Sequence, residues 1–250
     1  MVDILLRRRF GLLGRNISYS FSKGYFTEKF NNEVFAGNSY ENFDISEINY
    51  FTELIKNNPD LKGLNVTIPY KEQVIPFLDK LSKKATLIGA VNTIKFTKNG
   101  KLKGYNTDYY GFKKSLEPLL EPHHKKALIL GTGGASKGVA FALDELGIPY
   151  TFVSREAKEN IIDYDLINAT TFDNFQIIIN CTPVGTSPNI EACPNLPYEF
   201  FTEKHIAYDL IYNPAETTFL RKAKEQGAVI KNGHDMLIFQ AEKAWKIWNK

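Results

Sequence analysis

The stretch that most limits the possible folds is a short apolar run followed at once by a glycine-rich turn. Residues 127–138 read ALILGTGGASKG. Four apolar residues in succession are typical of a parallel strand that is buried on both faces. The residues after the turn are compatible with a helix. The stretch therefore predicts a strand–turn–helix unit, and such a unit belongs to a sheet of the α/β class.

The glycines of this turn favour a dinucleotide-binding site over a turn without a ligand. Gly131 permits the tight turn, and Gly133 and Gly134 let the backbone approach a pyrophosphate, which the amides at the helix start would then face. The usual pattern has a third glycine at position 136, where this chain has Ser136. A small residue at that position still allows close packing of the helix on the strand.

The end of the next predicted strand indicates which dinucleotide binds. Strand 150–153 is followed by Ser154 and Arg155, at about the distance from the turn where NAD sites carry an acidic residue for the ribose hydroxyls. An arginine cannot accept a hydroxyl proton, but it pairs well with a 2′-phosphate. Lys158 would add a second positive charge, whereas Glu156 argues mildly for NAD. We therefore predict NADP.

The rest of the chain alternates short apolar runs with helical stretches, which is the α/β pattern. In the second half, strands are predicted at 127–130, 150–153, 176–179 and 206–210, and helices at 136–146 and 217–225. In the first half, a strand is predicted at 10–13, a helix at 23–35 and a hairpin around the Asn-Gly of residues 99–100. Residues 235–248 carry apolar positions, including Trp245 and Trp248, at helical spacing, which we interpret as core packing.

Composition excludes several function classes. The chain has 250 residues, 43% of them hydrophobic, and a net charge of +3, too mild to indicate nucleic acid or a membrane surface as partner. Two cysteines and four scattered histidines predict neither a disulfide scaffold nor a metal site. Arg7, Arg8 and Arg9 interrupt the apolar start, and a spanning helix needs about 20 apolar residues. We therefore expect a cytoplasmic protein.

Polar stretches in the first half do not read as packing. They are SFS at 20–22, NVTIPYK at 65–71, GAVNT at 89–93 and NTD at 106–108. Each has a plain explanation taken singly: Asp108 could be only a helix cap, and Lys71 only a surface charge. Composition and spacing do not place these stretches together.

Together with the glycine turn, these stretches give the chain a resemblance to the shikimate dehydrogenase family over nearly its whole length. Three further stretches carry the likeness, all in order: NCTP at 180–183, YDLIYNPAETTFL at 208–220 and NGHDMLIFQ at 232–240. The resemblance implies an N-terminal α/β substrate domain, residues 1–107 with 234–250. This domain would face a Rossmann-type, doubly wound NADP-binding domain of residues 108–233, with the active site in the cleft between them.

The resemblance also implies the reaction, the reversible NADPH-dependent reduction of 3-dehydroshikimate to shikimate in chorismate and aromatic amino acid biosynthesis. Hydride moves to and from ring carbon C3, and Lys71 and Asp108 match the catalytic pair. Because a lysine is protonated in water at neutral pH, we expect Lys71 to act mainly as the acid in the reducing direction, with Asp108 orienting it.

Other positions match the family residue by residue. The implied substrate-binding residues are Ser20 and Ser22 for the carboxylate, and Thr67, Asn92, Tyr212 and Gln240 for the ring and its hydroxyls. The implied cofactor-binding residues are Gly131, Gly133, Gly134, Ala135, Ser154, Arg155, Leu210 and Gly233, to which the charge argument above adds Lys158. The chain departs from the family in its first loop, which reads SFSK at 20–23 instead of the common SKSP.

Two alternatives stay open at this point. One is a quinate or dual quinate/shikimate dehydrogenase, which accommodates a further hydroxyl beside the carboxylate. The other is a protein that binds NADP and responds to it without turnover, although such a protein would need neither Lys71 nor Asp108. The expected partner is a small-molecule substrate, and the oligomeric state, monomer or homodimer, is not fixed by the sequence.

Overall fold

A computed structural model describes residues 8–18, 20–31, 37–155 and 161–250. The chain divides into two units, Met1–Thr107 with Ala241–Lys250 and Asp108–Gln240. The first boundary lies where the sequence analysis placed a domain boundary. The chain returns to the first unit at residue 241 rather than 234, because the first turns of the last helix pack closely on the helix that begins at Asp108.

The first unit is built on a mixed sheet of six strands. They are β1 (Arg9–Gly14), β2 (Ser39–Asp44), β3 (Leu61–Val66), β4 (Lys80–Leu81), β5 (Thr93–Phe96) and β6 (Leu102–Tyr105), in the spatial order β2-β1-β3-β5-β6-β4. β1 is parallel to both of its neighbours, whereas β5 runs antiparallel to β3 and β6. The predicted Asn-Gly hairpin is present as the β5–β6 connection.

The helices of this unit are short. They are α1 (Phe21–Phe30), α2 (Phe51–Asn57), α3 (Tyr70–Gln73) and α4 (Lys83–Ile88). α1 begins two residues earlier than predicted, because Ser20 caps it by accepting a hydrogen bond from the amide of Lys23.

The sheet of the first unit has an apolar layer on each face, because side chains alternate along a strand. On one face, Phe10 of β1 stacks on Trp248 and makes an edge contact with Trp245. On the other face, Leu13 belongs to a cluster with Phe51 and Leu64. The tryptophans are thus core residues of this unit, as predicted.

The second unit contains a fully parallel sheet of six strands. They are β7 (Ala127–Leu130), β8 (Tyr150–Ser154), β9 (Ile161–Asp163), β10 (Ile177–Asn180), β11 (Ile206–Asp209) and β12 (Val229–Lys231), in the order β12-β11-β10-β7-β8-β9. Counted within the unit, this is the order 3-2-1-4-5-6 of the doubly wound dinucleotide-binding fold. The short edge strands β9 and β12 were not predicted.

Among the described residues, four α-helices lie within this unit. They are α5 (Asp108–Leu116), α6 (Gly134–Leu146), α7 (Ala169–Asn174) and α8 (Thr218–Glu225). The last helix, α9 (His234–Trp248), begins in this unit and ends in the first. The four residues of β7 have no exposed surface, as expected for an inner parallel strand. The doubly wound sheet therefore places β7 and the glycine turn at its centre, where ligands of such sheets bind.

Candidate active site

The glycine-rich turn connects the carboxyl end of β7 to the start of α6. Gly131 has a φ angle of +97°, which disfavours any residue with a side chain, and a Cβ atom there would lie 2.9 Å from Cγ2 of Thr182. Gly133 occupies the N-cap position of α6, and no side chain caps the helix. The buried Ser136 donates from Oγ to the carbonyl of Gly133 at 2.7 Å, so it supports the turn from within. The first amides of α6, those of Gly134 and Ala135 among them, are suited to bind an anion.

The tip of β8 lies beside this turn. The amide of Gly131 donates to the carbonyl of Val153 at 2.8 Å. Ser154 ends the strand and is half-buried, and Arg155 follows it and is exposed. The guanidinium group predicted to select NADP thus belongs to the residue that directly follows the strand next to the glycine turn. Lys158, the second predicted charge, lies outside the described residues.

The two other predicted cofactor residues, Leu210 and Gly233, pack against each other. Leu210 follows β11, and its amide donates to the carbonyl of Asn180 at 3.0 Å. The amide of Gly233 donates to the carbonyl of Ile211 at 3.1 Å. A Cβ atom at position 233 would overlap with the carbonyl oxygen of Leu210, so this contact requires glycine. The predicted substrate residue Tyr212 lies in the same loop and is half-buried.

Asp209, at the end of β11, is a buried acidic residue of this unit that the sequence analysis did not single out. Its carboxylate has no exposed surface and accepts hydrogen bonds from Thr217, Asn180 and the amide of Ile211. Burial raises the pKa of Asp209 from 3.8 to about 6, and the three hydrogen bonds oppose that rise. The sequence signal that could have indicated Asp209 is its position as a charged residue at the end of the apolar run IAYD.

Three predicted residues of the first unit meet at the carboxyl end of β3. Thr67 follows this strand, and its amide donates to the carbonyl of Leu13 at 2.9 Å. The carbonyl of Lys71, in the single turn of α3, accepts from the amide of Val91 at 2.7 Å. Asn92 comes next in the chain, and its carbonyl accepts from the last residue of β3 at 2.9 Å. The fold of this unit therefore brings Thr67, Lys71 and Asn92 to one end of its sheet.

Asn92 also organises the segment that leads to Asp108. Its Oδ1 accepts from the amide of Thr107 at 2.7 Å, and its Nδ2 donates to Oγ1 of Thr107 at 2.9 Å. Thr93 and Asn65 extend this buried network, with Asn65 Nδ2 donating to the carbonyl of Asn92 at 3.2 Å. Asn92 is 3% exposed and Thr107 is 0% exposed. Asn92 therefore fixes the backbone directly before Asp108, and its direct contact with a substrate stays a prediction.

The two predicted carboxylate-binding serines lie at the start of α1. Ser20 caps the helix through the amide of Lys23 at 3.2 Å. Ser22 lies in the first turn of α1. The buried hydroxyl of Tyr40, in the neighbouring strand β2, donates to Oδ1 of Asn65 at 2.8 Å. Burial raises the pKa of Tyr40, so its hydroxyl stays protonated. Tyr40 therefore belongs to the Asn65 end of the buried network.

Gln240, the last predicted substrate residue, lies on α9 where that helix packs on α5. A Cβ atom at Gly111 of α5 would overlap with the carbonyl of Met236 and approach Cβ of Gln240 to 3.1 Å. Gln240 is buried, and its Nε2 donates to the carbonyl of Leu237 at 3.1 Å. Gly111 stands three residues after Asp108, so the second unit brings Gln240 near the first turn of α5.

The described residues contain no group of three or more His, Cys, Asp or Glu side chains arranged to hold a metal ion. Among the same residues, no helix is both long and apolar enough to cross a membrane.

A parallel sheet in this order, with a glycine turn after its central strand, defines a dinucleotide-binding protein of the Rossmann type. Comparison with known proteins narrows this class to one family. Residues 12–94 match the family model for the shikimate dehydrogenase substrate binding domain. A shikimate dehydrogenase (NADP(+)) of Clostridium botulinum, strain Loch Maree, is 38% identical over 254 residues, which cover 95% of this chain and 95% of that protein.

Solved structures agree with the sequence relatives. The shikimate dehydrogenase of Aquifex aeolicus matches with a TM-score of 0.87 at 34% identity. The match covers 100% of this chain and 94% of that chain. The enzyme of Thermus thermophilus, solved with NADP(H) and shikimate, has a TM-score of 0.85 at 32% identity, with coverage of 96% and 93%. The chain belongs to the shikimate dehydrogenase family.

Proposed function

We propose that this protein catalyses the reversible, NADPH-dependent reduction of 3-dehydroshikimate to shikimate. The proposal depends mainly on the arrangement of residues at one end of the first unit's sheet. There Thr67, Lys71 and Asn92 meet at the carboxyl end of β3, and Asn92 holds the backbone directly before Asp108. The family membership of the whole chain supports the same reaction.

The residues of the second unit fit NADP. The positive φ of Gly131 and the N-cap glycine of α6 provide a turn that a pyrophosphate can approach, and a Cβ atom at Gly133 would meet no atom of the described residues within 4 Å. The exposed Arg155 supplies a guanidinium for a 2′-phosphate at the tip of β8. When bound, NADPH supplies the hydride that this reaction requires.

The chain's own residues supply proton transfer and orientation. In the reducing direction, the ammonium of Lys71 stabilises the charge that develops on the ketone oxygen at C3 and donates a proton to it. Asp108 orients the lysine and the substrate hydroxyl. In the oxidising direction, the neutral amine of Lys71 accepts the proton.

The remaining predicted residues recognise the substrate. Ser20 and Ser22, at the start of α1, bind the carboxylate with their hydroxyls. Thr67, Tyr212 and Gln240 contact the ring hydroxyls, and Asn92 adds to this set while it holds the segment before Asp108.

The cell location and the oligomeric state of the protein are also part of this proposal. Both cysteines, Cys181 and Cys193, are free thiols, which fits the reducing cytoplasm. The expected partner is the small-molecule substrate, and size-exclusion chromatography with light scattering would decide between a monomer and a homodimer.

The test is the formation of reduced nicotinamide by the purified protein. Shikimate and quinate are each offered with NADP and with NAD. We expect turnover with shikimate and NADP. Turnover with quinate in preference to shikimate would replace the proposed substrate, and a preference for NAD would overturn the role given to Arg155. Folded protein that binds NADP but turns over neither substrate would refute the catalytic proposal and favour a binding protein.

A variant pair tests the proposed acid. We expect Lys71→Ala to lose about 10² to 10⁴ in turnover, with NADP affinity unchanged. Lys62→Ala, which removes an exposed lysine of β3 in the same unit, serves as the matched control and should retain full activity. Unimpaired turnover by Lys71→Ala would exclude Lys71 as the proton donor.

A further inference from the structure

A line of polar side chains, most of them buried, crosses the carboxyl ends of the central strands in the second unit. It consists of the buried Thr217, Asp209 and Asn180 and the half-buried Thr182, and we refer to it as the strand-end network. Thr217, Asp209 and Asn180 have no exposed surface. The carboxyl ends of parallel strands are where doubly wound sheets bind their ligands, so this network lies at the edge of the sheet where the cofactor is expected.

Asp209 is the hub of the strand-end network. Its Oδ2 accepts from Oγ1 of Thr217 at 2.6 Å. Its Oδ1 accepts from Nδ2 of Asn180 at 3.1 Å and from the amide of Ile211 at 3.0 Å. Two of these donors come from residues after β11 and one from the end of β10. One carboxylate therefore fixes the course of the loop that carries Leu210 and ties it to the neighbouring strand.

The network continues from Asn180 to the glycine turn. Oδ1 of Asn180 accepts from Oγ1 of Thr182 at 2.6 Å and from the Thr182 amide at 3.0 Å. The methyl group of Thr182 lies where a Cβ atom of Gly131 would come within 2.9 Å. Asp209 is thus connected through Asn180 and Thr182 to the turn proposed to bind the pyrophosphate.

Energetics argue that this carboxylate does more than fill space. A buried charge is costly to desolvate, and apolar residues of similar volume are often at least as stabilising. The raised pKa of Asp209, about 6, reflects that cost. What an apolar residue lacks is the ability to accept hydrogen bonds from Thr217, Asn180 and Ile211 at the same time, and these three donors set the loop geometry.

We propose that Asp209 is a positioning residue for NADPH binding, which holds the Leu210 loop and the Gly131 turn in register through the strand-end network. This inference rests on the proposed function for the identity of the cofactor. Asp209 acts through the loops and needs no contact with NADPH. Its loss should therefore weaken cofactor binding more than it slows the reaction of bound cofactor.

The experiment compares variants by NADPH fluorescence titration and by steady-state kinetics. We expect Asp209→Ala to raise the Kd and the KM for NADPH by at least about tenfold, whereas kcat at saturating NADPH stays within about threefold of wild type. Asp209→Asn should restore binding to within about threefold. Its oxygen can accept from Asn180 and Ile211, and its amide can donate to Thr217. Asp173→Ala, at an exposed aspartate of α7, is the control.

A milder pair keeps the test decisive if Asp209→Ala does not fold. Thr217→Val removes the donor to Oδ2 at nearly constant volume, and Thr217→Ser retains it. We expect a rise of several fold in the Kd for NADPH with valine and no change with serine. Folded Asp209→Ala with a wild-type Kd, or equal Kd values for the valine and serine variants, would overturn the positioning role.

The wild-type protein separates this inference from the proposed function. Wild type that binds NADPH and reduces 3-dehydroshikimate, beside variants with unchanged Kd, leaves the function intact and refutes only the role of Asp209. Wild type that does not bind NADPH refutes the cofactor assignment and this inference with it.

Discussion

Replacing Asn92 with alanine should destabilise the first unit and slow catalysis together. The substitution removes the acceptor of the Thr107 amide, a bond of 2.7 Å at a residue with no exposed surface. A buried amide without an acceptor costs about 1–3 kcal/mol, and the lost bond to Oγ1 of Thr107 costs about 1 kcal/mol more. The expected loss in the free energy of unfolding is therefore about 2–4 kcal/mol.

Urea unfolding followed by tryptophan fluorescence measures this loss. Trp245 and Trp248, the chain's two tryptophans, both lie in the unit that contains Asn92, so their signal reports its unfolding. With a slope of about 2 kcal/mol per molar urea, the midpoint of Asn92→Ala should fall by about 1–2 M. Because Asp108 directly follows Thr107, we also expect kcat to drop by at least about tenfold.

Asn57→Ala is the matched control for this measurement. Asn57 is an exposed asparagine at the end of α2 in the same unit, and surface substitutions usually change stability by less than about 0.5 kcal/mol. If Asn92→Ala unfolded at the same urea concentration as Asn57→Ala, the inference that Asn92 satisfies a costly buried amide would be refuted.

Two further predictions follow from charged groups. Burial raises the pKa of Asp209 from 3.8 to about 6. The stability that the protonated carboxyl contributes is therefore fully present below about pH 4 and is lost as the pH rises through about 6. Between those limits, the free energy of unfolding of Asp209→Asn should rise by on the order of 3 kcal/mol relative to that of wild type. Calorimetric unfolding of both proteins across this pH range measures the difference in stability. The same pH dependence of stability in both proteins would contradict the prediction. Arg155→Gln should lower the ratio of kcat/KM for NADP to that for NAD by about 10- to 100-fold, whereas Arg221→Gln on α8 should leave it unchanged; an unchanged ratio in both variants would exclude Arg155 from cofactor selection.

Elements with a local signal were predictable from the sequence. The four-residue run of β7, the glycine turn and the Asn-Gly hairpin each depend on neighbours within a few residues, and the structure contains all three. The edge strands β9 and β12 were missed because each has only three residues, too few to show a period. The start of α1 was misplaced because the capping role of Ser20 was not recognised.

The candidate site residues also differ in whether a local sequence pattern marks them. Lys71, Asp108 and the glycines were predicted as site residues from short motifs and from the resemblance of the chain to one family. Asp209 was not, because its partners Asn180 and Thr217 lie 29 and 8 positions away, and nothing local marks them as a set. The same holds for Asn65, whose hydroxyl donor Tyr40 is 25 positions away.

The sequence by itself determined the α/β class, the dinucleotide turn and the residue types available for proton transfer, because these follow from local periodicity, backbone freedom at glycine and side-chain chemistry. Only the tertiary structure decided which polar groups are buried together. Asn92 became the support of the segment before Asp108, and Asp209 became the hub of the strand-end network, because strand pairing brings distant residues together. Once they are buried, each donor and acceptor must find a partner within the protein.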